Sequence, residues 1–328
     1  MLSGQTNMFI DPGIEAEDPT IGPAGRLQRY SHRAMATIVE IACVHPDPLY
    51  GEQAARAAFD LIDRIESELT CHREGGDISR INRLQAGESA RVGHWTMECL
   101  QLAGLFHHLT GGAFDISLGS GMESVELVPG ESLVRIHAAG VRLDLGGIGK
   151  GYAVDRAGEL LEDWEVPCSL THAGCSSVLA LDPPPGSGGW PLTISLPGAD
   201  RAPVLARFSV QRQAWSASGA RKPDHIVDPR NGRPVRDRVA AWVSGSLDSL
   251  NAVCRGASCD QGRPPEAGAC EIAASPAAAA EALSTAFMIL PLDEIAAFCR
   301  RHPGVEARIL PAAPGRSSFA QALVHFGG

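Results

Sequence analysis

Apolar residues recur along this chain at two periods. Ala55, Phe59, Ile62, Ile65 and Leu69 fall three and four positions apart, the spacing of one helix face, which predicts a helix over Gly51–Leu69. The same spacing marks Trp95–Leu109, with Gly111 and Gly112 placed to end it. A third amphipathic helix follows the glycine-rich run 146–151 and shows Val154, Ala157, Leu161 and Trp164 on one side. An Ala-rich helix is predicted over Pro276–Leu290, and another over Leu292–His302 with Asp293 as N-cap and Gly304 as its stop. Strand patterns occupy Ala34–Val44, Val141–Leu145, Val178–Leu181 and Leu192–Leu196, and the run PPPGSGG between the last two is a turn by composition. Residues 1–30 are acidic and rich in Pro and Gly, which predicts a loose arm. The polar segment 246–270 carries Gly, Pro and Cys, and its length predicts an inserted surface loop. Strands and helices mix without a βαβ beat and without a repeat. The expectation is one α+β domain over residues 31–328, with mixed, largely antiparallel sheets and flanking helices.

Charge narrows the partners. The formal net charge is −10 and no basic stripe stands out, which argues against nucleic acid. A polyanionic ligand would need local help from a metal or from helix N-termini. Nine cysteines, an odd number scattered over 328 residues, suit reduced thiols better than a disulfide framework. Met1–Thr20 has neither a basic and then apolar leader nor an early lipid-attachment Cys, so a cytoplasmic location is expected. No apolar run is long enough for a membrane span.

Four segments could carry chemistry. In Asp144-Leu-Gly-Gly-Ile-Gly-Lys-Gly151 a strand, a glycine turn and a helix start follow one another, a geometry that offers backbone N–H groups to phosphate. The run fits neither the P-loop nor the dinucleotide fingerprint, and a ligand-free tight turn reads it equally simply. Glu281, Ser284 and Thr285 stand at i, i+3 and i+4 of the Ala-rich helix, so three oxygens share a face in a way that suits a hard cation such as Mg²⁺. Ordinary surface residues with hydroxyls bonded back to the helix carbonyls would give the same spacing. His225, ahead of the Asp228-Pro-x-x-Gly232 turn, could move a proton near neutral pH or simply order its loop. Asp115, in Thr110-Gly-Gly-Ala-Phe-Asp115, could meet a ligand or its own loop backbone. Cys254, Cys259 and Cys270 gather only three thiols, a weak zinc pattern.

Taken in order, these segments resemble the ApbE family of flavin transferases. The matching runs are Met35-Ala-Thr37, Ile65-Glu-Ser67 with Ser79-Arg-Ile-Asn82, Thr110–Asp115, Asp144-Leu-Gly-Gly-Ile-Gly-Lys-Gly-Tyr-Ala-Val-Asp155, Ser218-Gly219, His225-Ile-Val-Asp-Pro229 with Gly232, and Ala282-Leu-Ser-Thr285. The resemblance implies a T-fold-like domain. It also implies an enzyme that uses Mg²⁺ and FAD, releases AMP and attaches FMN through its phosphate to a Thr or Ser of an acceptor protein. It implies FAD contacts from Met35, Ala113, Phe114, Asp115, Gly146, Tyr152 and His225. The metal would be held by the Gly149 carbonyl with Glu281, Ser284 and Thr285, and His225 and Glu281 would be catalytic.

The chain departs from that pattern in several places. Glu281 stands where the family has Asp, Cys175 replaces the second glycine of a Gly-Gly pair, Ala217 replaces a Thr, Ala36 replaces a Gly and Gly149 replaces an Ala. Two alternatives therefore stand beside the transferase: a metal-dependent FAD pyrophosphatase, and a catalytically degenerate protein that binds flavin or a partner.

Overall fold

A computed structural model describes residues 10–11, 25–174, 176–196, 203–219, 226–256, 273–312 and 323–327. Its strands are β1 (Ile10–Asp11), β2 (Arg26–Ala34), β3 (Thr37–His45), β4 (Ser89–Arg91), β5 (Val125–Val128), β6 (Leu133–Ile136), β7 (Ser169–Ala173), β8 (Ser177–Ala180), β9 (Trp190–Ser195), β10 (Val204–Val210), β11 (Gln213–Gly219), β12 (Val227–Asp228), β13 (Arg233–Pro234), β14 (Arg238–Ser246), β15 (Val305–Pro311) and β16 (Val324–Phe326). Its helices are α1 (Pro48–Leu69), α2 (Asp77–Ile81), α3 (His94–Leu109), α4 (Gly149–Asp163), α5 (Leu247–Gly256), α6 (Pro276–Phe287) and α7 (Leu292–Arg301). Among the described residues every strand pairing is antiparallel, in keeping with the α+β expectation.

The centre is an eight-stranded sheet in the order β16-β15-β14-β11-β8-β7-β3-β2. Because side chains alternate across a strand, one face of it presents Val39, Ile41, Ala173, Leu179, Ala214 and Val243 to the helices. The other face presents Leu170, Val178, Trp215 and Trp242 to Trp190, Leu192 and Ile194 of the small sheet β1-β9-β10. The molecule is thus layered as helices, large sheet, small sheet.

Helix α6 lies deepest in the helical layer, between α4 and strands β11 and β14. Its residues Ala277–Ala280, Ala282 and Ala286 are fully buried, and alanine lets backbones approach that larger side chains would hold apart. Gly151 is the counterpart on α4: a Cβ there would lie 2.4 Å from the Ala277 carbonyl oxygen. The N-terminus of α6 is capped from a distance. Asp155 Oδ1 accepts the Ala277 N–H (2.8 Å) and Oδ2 accepts the Ala278 N–H (2.9 Å), which satisfies two donors that a helix start leaves free. Burial pushes the Asp155 carboxyl up. With both oxygens accepting N–H bonds, however, the ionised form is the one the geometry holds.

Several sequence expectations need correction. Met35 and Ala36 are not strand but a two-residue turn, and Arg26–Ala34, which begins inside the segment read as a loose arm, is the strand β2 paired with β3. Val141–Leu145 has the buried alternation of a strand but no ladder. Asn82 serves instead, its side chain donating to the Leu143 carbonyl (2.9 Å) and accepting the Leu143 N–H (2.7 Å). The first ten residues after Ser246 form helix α5 rather than loop. Asp293 sits inside α7, whose N-cap is Pro291. Cys259 and Cys270 lie outside the described residues, and Cys254 is buried on α5.

Candidate active site

The glycine run ends the extended segment 141–145 and starts α4 at Gly149. This places the helix N-terminus, Lys150 and the face of α6 that bears Glu281 against one another. The Lys150 ammonium contacts Glu281 Oε1 and donates to the Gly146 carbonyl (3.1 Å), and Glu281 Oε2 accepts the Gly151 N–H (2.6 Å). Glu281 is buried at 4% exposure, so an ion pair with a hydrogen bond to each oxygen is what makes its charge tolerable there.

One turn further along α6 the hydroxyls gather. Ser218 Oγ on β11 lies 2.9 Å from Ser284 Oγ and 3.2 Å from Thr285 Oγ1. Ser284 and Thr285 also donate back to the Glu281 carbonyl at 2.9 and 3.1 Å. The three hydroxyls and the Glu281 carboxylate are all hard oxygen donors, the chemistry that Mg²⁺ takes. Among the described residues, no three His, Cys, Asp or Glu side chains gather as a metal site. A cation here would therefore rest on one carboxylate, hydroxyls and a backbone carbonyl, and would leave coordination positions for a ligand's phosphates.

Two clefts open on either side of Asp144 and Gly146. The larger, about 580 Å³, has Ala113–Ile116 and Leu118 on one wall, Ile226, Val227 and Pro229 on the other, and Gly147, Thr285 and Ile289 between them. That volume and its apolar walls suit a small-molecule ligand. Its walls touch at Gly119, where a Cβ would sit 2.6 Å from the Pro229 carbonyl oxygen. The smaller cleft, about 190 Å³, is lined by Met35, Ala36, Glu66, Leu69–His72, Gly149 and Lys150.

Loop chemistry shapes the larger cleft. Asp115 Oδ1 accepts the Ser117 N–H (2.7 Å) and Oδ2 the Gly119 N–H (2.9 Å). Its carboxylate therefore folds its own loop, and the residue lines the cleft at the same time. Across the cleft Asp228 accepts from the Arg230 backbone and guanidinium and from Asn231. The Arg230 hydrogen bond holds the Asp228 carboxyl below its usual range.

A family model described as the ApbE family matches residues 35–252. The chain belongs to the ApbE family. Curated relatives include a FAD:protein FMN transferase of Klebsiella pneumoniae, 24% identical over 62% of this chain and 73% of the relative. Another, from Treponema pallidum, is 24% identical over 87% of this chain and 85% of its own length. Among solved structures, the flavinyl transferase ApbE of Pseudomonas stutzeri in its apo form superposes with a TM-score of 0.70 at 19% identity, covering 92% of this chain and 93% of that one. The flavin transferase ApbE of Vibrio cholerae gives 0.71 at 16% identity, covering 92% and 97%. At such identities the structural likeness shows the ApbE fold.

The candidates read from the ApbE resemblance largely converge. Met35, Gly146 and Gly149 line the smaller cleft, Ala113, Phe114, Asp115, Gly146 and Thr285 the larger, and Glu281 and Ser284 lie behind Thr285. Tyr152 is placed elsewhere. It is fully buried, donates to Glu98 and stacks under Arg156, and burial with the Glu98 contact pushes its phenol up. It lines neither cleft. His225 and Cys175 lie outside the described residues. Sequence reasoning gave no role to Lys150, whose partner is 131 positions away, nor to Asp144, Leu118 or Ile289. Only the position of Lys150 and Asp144 within the glycine run signalled them.

Proposed function

We propose that this chain is a Mg²⁺-dependent FAD:protein FMN transferase that esterifies a Thr or Ser of an acceptor protein. The observation that carries this reading is a charged cleft joined to an apolar one: Gly149 at the start of α4 and Lys150, paired with Glu281, line the smaller cleft, which shares Asp144 and Gly146 with the apolar cleft of about 580 Å³, and Thr285 of the hydroxyl cluster lines that larger cleft. A flavin dinucleotide has the same two-part character, with flat apolar rings joined through a charged pyrophosphate. The names of the curated relatives support the same choice.

In this reaction the acceptor hydroxyl oxygen attacks the phosphorus on the FMN side of the pyrophosphate. The bond from that phosphorus to the bridging oxygen breaks, and AMP leaves with the electron pair. The hydroxyl proton passes to a base, for which His225 is proposed; it directly precedes Ile226 of the cleft wall. Lys150 and the N-terminus of α4 stabilise negative charge on the phosphates. The walls Ala113–Ile116 and Ile226–Pro229 exclude water from the ring portion. Glu281, Ser284, Thr285 and the Gly149 carbonyl would hold Mg²⁺, which supplies electrostatic stabilisation of the transferring phosphoryl group.

The test is incubation with FAD, Mg²⁺ and a candidate acceptor, followed by mass spectrometry of the acceptor and assay of AMP. FMN on the acceptor, lost on chelation and in Glu281→Ala, is the expected outcome. AMP and FMN released without any acceptor would replace the transferase with a pyrophosphatase. No turnover under any divalent metal would leave a non-catalytic flavin-binding protein.

A further inference from the structure

The turn joining β2 to β3 is built from two residues in the left-handed region, Met35 at φ 54° and Ala36 at φ 57°. Residues other than Gly, Asn and Asp populate that region sparsely, and neither position here is one of those three. The register Ala34↔Thr37 leaves just these two residues in the loop, and such hairpins require positive φ at both. Strain of this kind persists where its surroundings hold it and concentrates at functional sites.

What holds this turn can be named. Glu66, on α1, accepts the Met35 N–H at 2.9 Å through Oε2, and its other oxygen faces Arg73 at 3.7 Å. Behind the turn, Gly174 leaves no room for a side chain, since a Cβ there would be 2.1 Å from Thr37 Oγ1. In front of it, Met35 Cε reaches within 3.5 Å of where a Gly149 Cβ would be. The turn is therefore clamped between α1 and the loop after β7, with the Met35 side chain laid over the first residue of α4. Met35, Ala36 and Glu66 form the wall of the smaller cleft that faces Gly146 and Lys150.

We propose that Glu66 is a positioning residue: its carboxylate fixes the strained Met35–Ala36 turn, and so pre-forms the wall against which the phosphate-bearing substrate lies. This rests on the reading of the site as an FAD site. A wall held before binding spares the ligand the ordering of that segment. Glu66 needs no contact with substrate for this; it acts through the Met35 amide.

The test uses full-length Glu66→Ala, Glu66→Gln, Ala36→Gly and the double variant Glu66→Ala/Ala36→Gly. Amide hydrogen exchange of the 34–37 segment is measured without ligand, and FAD affinity, KM and kcat with it. In Glu66→Ala, exchange at Met35 should rise and the FAD Kd should weaken about tenfold, the scale of one lost hydrogen bond to a charged group, with kcat little changed. Glu66→Gln keeps an acceptor oxygen and should recover most of the affinity. In the double variant, glycine adopts the left-handed turn unaided, so its Kd should lie closer to wild type than that of Glu66→Ala alone. Faster exchange with an unchanged Kd, or no rescue by either route, overturns the positioning role. A wild-type protein that binds no FAD overturns the functional reading itself, and the substrate role of Glu66 with it.

Discussion

Asp155→Ala should be among the most damaging single changes that touch no ligand. The carboxylate is 2% exposed and accepts the Ala277 and Ala278 N–H groups at 2.8 and 2.9 Å. Ser275, the N-cap residue of α6, makes no capping hydrogen bond of its own, so nothing local replaces what is lost. A hydrogen bond to a charged group contributes about 1.5–3 kcal/mol, and an orphaned buried donor costs about as much. Two of them place the loss at about 3–6 kcal/mol. In a domain of this size 1 kcal/mol moves Tm by about 2–4 °C, so the melting point should fall by roughly 10 °C. Asp155→Asn keeps one acceptor oxygen and turns an amide N–H₂ toward the second donor, so about half the loss should remain. Urea unfolding should show the midpoint shift without a change in slope, because the surface exposed on unfolding is the same. Glu281 stands one helical turn after Ala277, so FAD affinity should weaken along with stability. An Asp155→Ala protein that melts within about 2 °C of wild type would refute the reasoning, since a deficit that small is below one hydrogen bond.

Gly151→Ala puts a methyl 2.4 Å from the Ala277 carbonyl oxygen; pushing α4 off α6 should cost about 1–3 kcal/mol, read by chemical unfolding. Lys150→Met leaves the Glu281 charge buried with the Gly151 N–H as its remaining carboxylate partner among the described residues, so it should destabilise by about 3 kcal/mol. Mg²⁺ should recover part of that loss in a thermal melt if the carboxylate holds the cation. The Asp228 carboxyl is depressed, chiefly by its Arg230 hydrogen bond. Its stabilisation is therefore present above the unfolded value of about 4 and is lost as pH falls through the lower folded value. Amide protection in 227–232, measured relative to the intrinsic exchange rate at each pH, should fall below that point and stay level between about pH 5 and 8.

Helices α1, α3 and α4 were legible because each buries a stripe whose 3.6-residue period survives in the sequence, whereas α5 lay inside the segment read as a loop. The hairpin was not, because Met35-Ala36 carries none of the Gly, Asn or Asp residues that mark such a turn; its geometry is imposed by Glu66 and the packing of Gly174. Val141, Leu143 and Leu145 do alternate inward, but the partner that would make them a strand is the Asn82 side chain, and no periodicity reports that. In the site, the i, i+3, i+4 spacing of Glu281, Ser284 and Thr285 was readable as one helix face. The contacts that give the face its chemistry, from Lys150, Gly151 and Ser218, come from sequence positions 131, 130 and 66 residues away and leave no local signature. Asp155 closes the run Asp144–Asp155 that carries the resemblance, yet its task could not be read from it, because the helix it caps begins more than a hundred residues later.

That separation sets an order of events during synthesis. Gly151, Lys150 and Asp155 on α4 and Ser216 and Ser218 on β11 all leave the ribosome before α6, the element that every one of them grips. Chain growth is slow beside helix formation, so a nascent chain has time to build α1, α3 and α4 while the slot for α6 stands unfilled. Closing that slot is a long-range event that gains nothing until α6 itself has been made. A chain halted short of Glu281 would lack the carboxylate, Ser284 and Thr285 as well as β15 and β16 of the central sheet, so the site is assembled only once α6 has been made.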